Sequence, residues 1–347
     1  AEQYQQLVYH HRKVIRAQGG IPMKRYINSI LTALVCFLIV IVFNFFLPRM
    51  LPGDPVAYLT GFAEEDMTPN QYQHYYNALH LGESLPVQFG YYIQSLLDGS
   101  LGYSFKKDSS VSVLIVARLK FTLQITVPSV LFSTLIGLFW GIQCGYKKGS
   151  MFDRISSTFV IVLNAVPSFI IGLSLMILLC FKNRWFPYTG LNTPDITTGT
   201  AAYLADRIHH LILPVLTLTI AATPSRFLLM RNTVSQAVEE KYVLYAKERG
   251  LPDRTIKFSY ILKNIAQPFI AMVGMSVSLC VGGSVVIENI FSINGMGGLL
   301  TEAVYTLDYP LMQGILFVTT LIMALSIITT DIVCILIDPK VRLGASI

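Results

Sequence analysis

Six stretches of this chain run for at least eighteen residues without a charged side chain: 26–48, 121–146, 155–181, 208–225, 264–287 and 309–330. A helix needs roughly 20 apolar residues to cross the hydrocarbon layer. Inside lipid every backbone polar group has to be satisfied within the segment, so each run predicts one membrane-spanning helix. The run 67–82 is also free of charge, but it is rich in Gln, Asn, Tyr and His and predicts no span. Between the first two spans, Leu85–Leu97 has the spacing of an aromatic, amphipathic helix lying along a membrane interface. Pro128, Pro167, Pro214, Pro224 and Pro268 fall within or at the edge of the spans. Each removes a helix hydrogen bond, which predicts kinks that either tune packing or let helices rock between two states.

The pattern breaks most sharply at residues 239–263. This segment carries Glu239, Glu240, Lys241, Lys247, Glu248, Arg249, Asp253, Arg254, Lys257 and Lys263, with long apolar runs on either side. Such a segment has to lie in water at one face of the membrane. Nothing between Tyr242 and Arg249 breaks a helix, whereas Gly250 and Pro252 stop one. The expectation is a short surface helix, a turn, and a second helix entering the membrane near Asn264. A helix that short is marginal in water, so a protein partner is expected to pack on it.

Composition agrees with the pattern. The chain has 347 residues, 53% hydrophobic and 13% charged, with a mean hydropathy of +0.56. A soluble domain typically carries about 25% charged residues. With six spans both termini lie on one side, and the segments of that side (1–25, 147–154, 226–263 and 338–347) hold 18 of the 26 basic residues. The positive-inside rule then places both termini in the cytoplasm and residues 49–112 outside. The net charge of +6 follows from that asymmetry, and no basic patch interleaved with aromatics points to nucleic acid.

The charged stretch resembles the cytoplasmic coupling loop of ABC importer permeases, in the form found in the oligopeptide, dipeptide and nickel permease family. The residues that carry the resemblance are Glu240, Tyr242, Ala246, Gly250, Leu251, Lys263, Asn264 and Pro268. The general motif's Glu-Ala pair is replaced here by Leu244 and Tyr245. Further matches follow in order: Leu51-Pro52-Gly53-Asp54-Pro55, Gly99-Ser100-Leu101-Gly102-Tyr103-Ser104, Arg118-Leu119 with Thr122-Leu123, and Trp185 to Gly190. The series closes with Glu288 and Phe291, Gly295 and Gly297, Asp308-Tyr309-Pro310, Asp331, and Asp338-Pro339-Lys340-Val341-Arg342.

The resemblance covers residues 23–343 and implies an all-α polytopic protein of the type I importer permease fold. It implies a bacterial or archaeal plasma membrane and three kinds of partner besides lipid: a second, similar permease, two ATP-hydrolysing subunits and an extracytoplasmic substrate-binding protein. ATP and magnesium would sit in the ATPase subunits. Glu240, Tyr242, Ala246, Lys247, Gly250, Leu251, Asn264 and Pro268 would make the coupling site, and Glu288, Phe291 and Asp331 would gate or line the path. The cargo implied is an oligopeptide or dipeptide, with glutathione, nickel or a metallophore as alternatives. Met23 to Tyr26 resembles the start of such permeases, so residues 1–22 are expected to be an extension, either a native surface helix or a segment added for expression. Residues 344–347 are expected to be a tail.

Little else suggests chemistry. No G-x-x-x-x-G-K-(S/T) loop occurs, so ATP energy has to come from another polypeptide. The five cysteines lie in or beside apolar runs, and the six histidines lack metal-pair spacing. No G-x-S-x-G is present for a membrane hydrolase. Asn44, Gln124, Gln143 and Asn164 either line a path or bond between helices. A secondary transporter or channel is the remaining alternative, and it would need no large docking loop.

Overall fold

The computed structural model describes residues 21–50, 54–62, 64–194, 196–278 and 284–337. The extension expected over 1–22 therefore lies almost wholly outside the described residues, as do Cys280 and the closing motif from Asp338. Helix α1 (Ile21–Phe46) leads into three short helices, α2 (Pro55–Thr60), α3 (Pro69–Ala78) and α4 (Leu85–Leu97), and a two-stranded antiparallel ribbon, β1 (Tyr103–Ser104) and β2 (Ser109–Ser110). Helix α5 (Val111–Tyr146) is followed by α6 (Met151–Asn164) and α7 (Ser168–Leu175), which widens into a π-type segment, Met176–Lys182. Helix α8 (Ala201–Ala237) precedes the short α9 (Lys241–Glu248) and α10 (Asp253–Thr255). A second π-type segment, Ile256–Ile261, joins α10 to α11 (Leu262–Ser278) without a gap. The chain closes with α12 (Val285–Ile290), α13 (Met296–Tyr305) and α14 (Tyr309–Ile337).

Among the described residues, α5, α8 and α14 are each long and apolar enough to cross a bilayer. The pair α6–α7 makes a fourth crossing if it is one broken span. Helix α1 covers most of the first charge-free run, and α11 covers the first part of the fifth, residues 264–278. The third run departs from expectation, because it is not one helix: the chain bends by 96° between Asn164 and Ser168. Pro167 sits at φ −58°, ψ 141°, and its ring disfavours the helical region for Val166 while supplying no N–H of its own. By contrast, α5, α8 and α11 run on through Pro128, Pro214, Pro224 and Pro268. Helices α5 and α8 also exceed their charge-free runs, starting at 111 and 201, since a charged residue at a helix end marks the edge of lipid and not the end of the helix.

The strongest packing is between α5 and α8. Gly137, Gly141 and Gly145 form a row at four-residue spacing on α5. A Cβ at these positions would lie 2.6 Å from Arg226 Cβ, 2.7 Å from Met230 Cβ and 2.5 Å from the Arg231 carbonyl oxygen. Only glycine permits that approach, and in lipid close backbone contact replaces the hydrophobic effect as the source of helix association. The outward faces carry Leu131, Phe132, Phe139, Phe159, Val162 and Ile177, each at least half exposed. Such a surface suits hydrocarbon as solvent and would be a liability in water. Helix α1 packs on α14 through Phe37 and Phe317, whose ring centroids lie 5.4 Å apart, and Gln313 Nε2 donates to the Asn44 carbonyl.

The segments between α1 and α5 gather at one end of the bundle. Asp54 caps α2 by accepting from Val56 N and Ala57 N, and Tyr72 Oη donates to the same carboxylate at 3.0 Å. Arg49 donates Nε to Gln88 Oε1 at 3.1 Å and lies over the Phe45 ring. Burial lowers the Arg49 guanidinium to about 10 and raises the neighbouring Tyr92 phenol to about 12. The ribbon is fixed to the far end of the chain, because Ser104 Oγ donates to Asp308 Oδ2 and Lys107 pairs with Glu302.

Candidate functional site: the loop between α8 and α11

The expected short helix forms as α9. Glu240 occupies its N-cap position without a side-chain bond and is exposed. At the other end the backbone closes in a Schellman arrangement: Leu251 N donates to Ala246 O at 3.2 Å, and Gly250 N donates to Lys247 O at 2.8 Å. Gly250 supplies the left-handed residue this needs, at φ +71°. No atom lies within 4 Å of where its Cβ would be. The glycine is therefore required by the backbone angle and not by lack of space.

Helix α9 has two faces. Val243 and Ala246 are buried, and Tyr242 and Leu251 are packed beside them on a core of Ile142, Met230, Val234, Ile256, Ile261 and Ile265. Burial, with the Glu240 carboxylate adding to it, raises the Tyr242 phenol above its ordinary value. Leu244 and Tyr245 stand on the opposite face, 45% and 61% exposed. Lys241, Lys247 and Glu248 surround them in solvent.

The loop is also tied to the end of α5, a connection that no motif announced. Tyr146 Oη donates to Asp253 Oδ1 at 2.7 Å. Lys257 Nζ lies 4.8 Å from the centre of the Tyr146 ring and donates to Gln143 Oε1 at 2.7 Å. Lys247 Nζ lies 5.3 Å from the same ring. The turn after α5 is anchored too, since Asp153 takes a bidentate bond from Arg231 Nε at 2.7 Å and Nη2 at 2.8 Å, and accepts Gly149 N at 2.8 Å. Asn264 and Pro268 continue on the exposed side of α11. Asn264 Nδ2 donates to the Tyr260 carbonyl at 2.7 Å.

The candidate path residues are placed differently from one another. Glu288, a candidate for the gate or the path, is fully buried. Oε1 accepts Thr122 Oγ1 at 2.7 Å and Ser284 Oγ at 2.8 Å, and Oε2 accepts Gly297 N at 2.7 Å and Gly298 N at 3.3 Å. Gly297 and Gly298 lie in the first turn of α13, where free N–H groups and the helix dipole favour a carboxylate. The side chain thus joins α5, α12 and α13. Phe291 is buried beside Ile125, Leu213 and Ile287, and its carbonyl accepts Gly190 N at 3.0 Å. Asp331 is half-buried on α14. Gln143 bonds between helices, as does Gln124, to Arg207.

The family described as binding-protein-dependent transport system inner membrane component matches residues 133–343, and its N-terminal counterpart matches residues 23–126. A probable peptide ABC transporter permease protein of Sinorhizobium fredii is 31% identical over 302 residues, 87% of this chain and 93% of the relative. An oligopeptide transport system permease protein of Haemophilus influenzae is 31% identical over 324 residues, 92% of this chain and 99% of the relative. A glutathione transport system permease protein of Salmonella typhi is 29% identical over 323 residues, again 92% and 99%. With a two-faced loop helix, a glycine-packed helix pair and matches along nearly its whole length, this chain belongs to the family of inner-membrane components of binding-protein-dependent transport systems.

Proposed function

We propose that this chain is one permease subunit of an ATP-driven importer of peptides in a bacterial or archaeal plasma membrane. It crosses the membrane six times, with both termini inside and residues 239–263 in the cytoplasm. A second, similar permease completes the path, two ATPase subunits hold ATP and magnesium, and an extracytoplasmic binding protein delivers cargo to the opposite face. The chain itself catalyses no reaction.

The observation that carries this reading is the division of α9. Its Val243–Ala246 face is committed to the body of the permease, while Leu244 and Tyr245 face solvent beside charged groups. An exposed apolar pair with a charged rim on a rigidly seated helix suits a protein partner. When the ATPases close on ATP, α9 moves with them. The shift reaches α11 through the continuous α10–α11 path, and α5 through Tyr146. Two arrangements of the helices, each favoured by a ligand on one face, give alternating access. A peptide is the cargo that the peptide and oligopeptide relatives favour. The glutathione relative supports the narrower reading of a short, unusual peptide.

The test is reconstitution of the permease pair with ATPases and binding protein in vesicles. Peptide uptake should require ATP, and Gly250→Trp should abolish it, because the exposed indole would stand in the surface offered to the ATPase while straining the left-handed turn. Uptake by the permease without ATPases, uptake that survives Gly250→Trp in an assembled complex, or labelling of residues 239–263 from outside the cell would each overturn the reading.

A further inference from the structure

Helices α5 and α8 part on one side and leave a groove of about 480 Å³. Its α5 wall is a stripe at four-residue spacing, Gln124, Pro128, Phe132 and Ile136, and its α8 wall runs from Ile208 to Thr219. The stripe rises about 18 Å at 1.5 Å per residue, which is roughly the depth of one leaflet of a ~30 Å hydrocarbon core. Apart from Gln124 at one end and Thr219 at the other, the lining is hydrocarbon.

Cations cluster at the Gln124 end. Arg207 donates Nε at 3.1 Å and Nη2 at 2.6 Å to Gln124 Oε1, and Nη1 at 2.6 Å to Asn192 Oδ1. Its Cζ lies 5.2 Å from the centre of the Phe121 ring, and Lys120 Nζ lies 5.0 Å from the same ring. The partners of Arg207 are neutral. Among the described residues neither Arg207 nor Lys120 is in an ion pair. The adjacent Asp206 is engaged elsewhere, accepting Thr193 N and Oγ1 and facing His210.

We propose that this groove holds an acyl chain of an anionic phospholipid whose phosphate lies between Arg207 and Lys120. A peptide in the groove would leave its backbone amides unpaired along a hydrocarbon wall, at a cost an acyl chain avoids. The paired cations stand where the chain emerges, and basic side chains near a membrane surface attract anionic headgroups. The guanidinium is already held by two amide oxygens, so little ordering remains to be done on binding. The inference rests on the chain spanning a membrane and not on what it transports.

The experiment takes the assembled importer, stripped of lipid in detergent, and offers equal phosphatidylglycerol and phosphatidylcholine in nanodiscs. Native mass spectrometry then counts the lipid retained. Wild type should retain phosphatidylglycerol in preference. Arg207→Gln should lower retention about fivefold and adding Lys120→Gln about fivefold again, the worth of one cation near a membrane surface. Arg207→Lys should keep most of it. Leu216→Trp should abolish retention by filling the groove with both cations intact, which holds the test if Arg207→Gln misfolds. Equal retention of both lipids, or retention indifferent to both Arg207→Gln and Leu216→Trp, would overturn the proposal. So would efficient cross-linking of Leu216→Cys to the second permease, since the groove would then be a protein interface. Peptide uptake is read separately, so failure of the lipid site and failure of the importer reading are distinguishable.

Discussion

Tyr146, the last residue of α5, donates its phenolic proton to Asp253 across 2.7 Å, and so fastens the end of one long helix to the start of another 107 positions on. Two lysines of the loop, Lys247 and Lys257, lie over the same ring. Tyr146→Phe removes one hydrogen bond, worth about 1 kcal/mol, and keeps the ring. Tyr146→Leu removes the cation–π contacts as well, each worth about 0.5–1 kcal/mol where partly exposed. Both variants should assemble. The ratio of ATP hydrolysed to peptide taken up should rise modestly for Phe and several-fold for Leu. An unchanged ratio for Tyr146→Leu would remove α5 from the coupling route.

Glu288 holds four donors, from α5, from the N-cap of its own helix and from α13, while fully buried. Glu288→Ala strands the two hydroxyls and two N–H groups, and a loss of about 3–5 kcal/mol is expected. Glu288→Gln keeps the shape but turns an amide N–H₂ toward either the hydroxyls or the start of α13. The hydroxyls can rotate and the backbone N–H groups cannot, so Gln should be milder than Ala. Thermal unfolding of the purified protein should rank wild type, Gln and Ala in that order. Equal stability of Ala and wild type would show that the carboxylate carries no structural burden.

Gly141 sits where a Cβ would be 2.7 Å from Met230 Cβ and 3.0 Å from the Phe227 carbonyl oxygen. Gly141→Ala must push α5 and α8 apart, because backbone stands in the way. Overpacking of this kind costs about 1–3 kcal/mol, and Gly141→Leu should cost more. The thermal midpoint should fall in that order, while Gly149→Ala, which meets no atom within 4 Å but sits at φ +82°, should lose only the left-handed strain of about 1 kcal/mol.

Burial raises the Asp308 carboxyl above its ordinary range, opposed by the Ser104 hydroxyl, the Leu311 N–H, Lys106 and Lys107. The folded state therefore binds a proton more tightly than the unfolded chain does. Stability from this group is fully present below the ordinary carboxyl value of about 4 and is lost as pH rises through the raised folded value. Asp308→Asn should flatten that part of the stability–pH curve measured in detergent. A curve of unchanged shape would mean that Asp308 titrates normally.

The sequence by itself determined most of the long apolar helices. Charge-free length is a direct consequence of bilayer thickness, so α1, α5, α8, α11 and α14 all fall on predicted runs. The α9 helix and its Gly250 stop were equally legible, since φ > 0 is a local demand on one residue. What the tertiary structure decided was every relationship that depends on a distant partner. The 96° break at Pro167 turned one predicted span into two segments, because a proline inside an apolar run can either kink a helix or end it and the surroundings choose. Glu288 could be read as wet or buried until Thr122, Ser284 and the start of α13 were found around it. The glycine row of α5 and the clasp on Tyr146 carry no signature of their own. A small residue or a tyrosine at a helix end takes its meaning from what the fold brings against it.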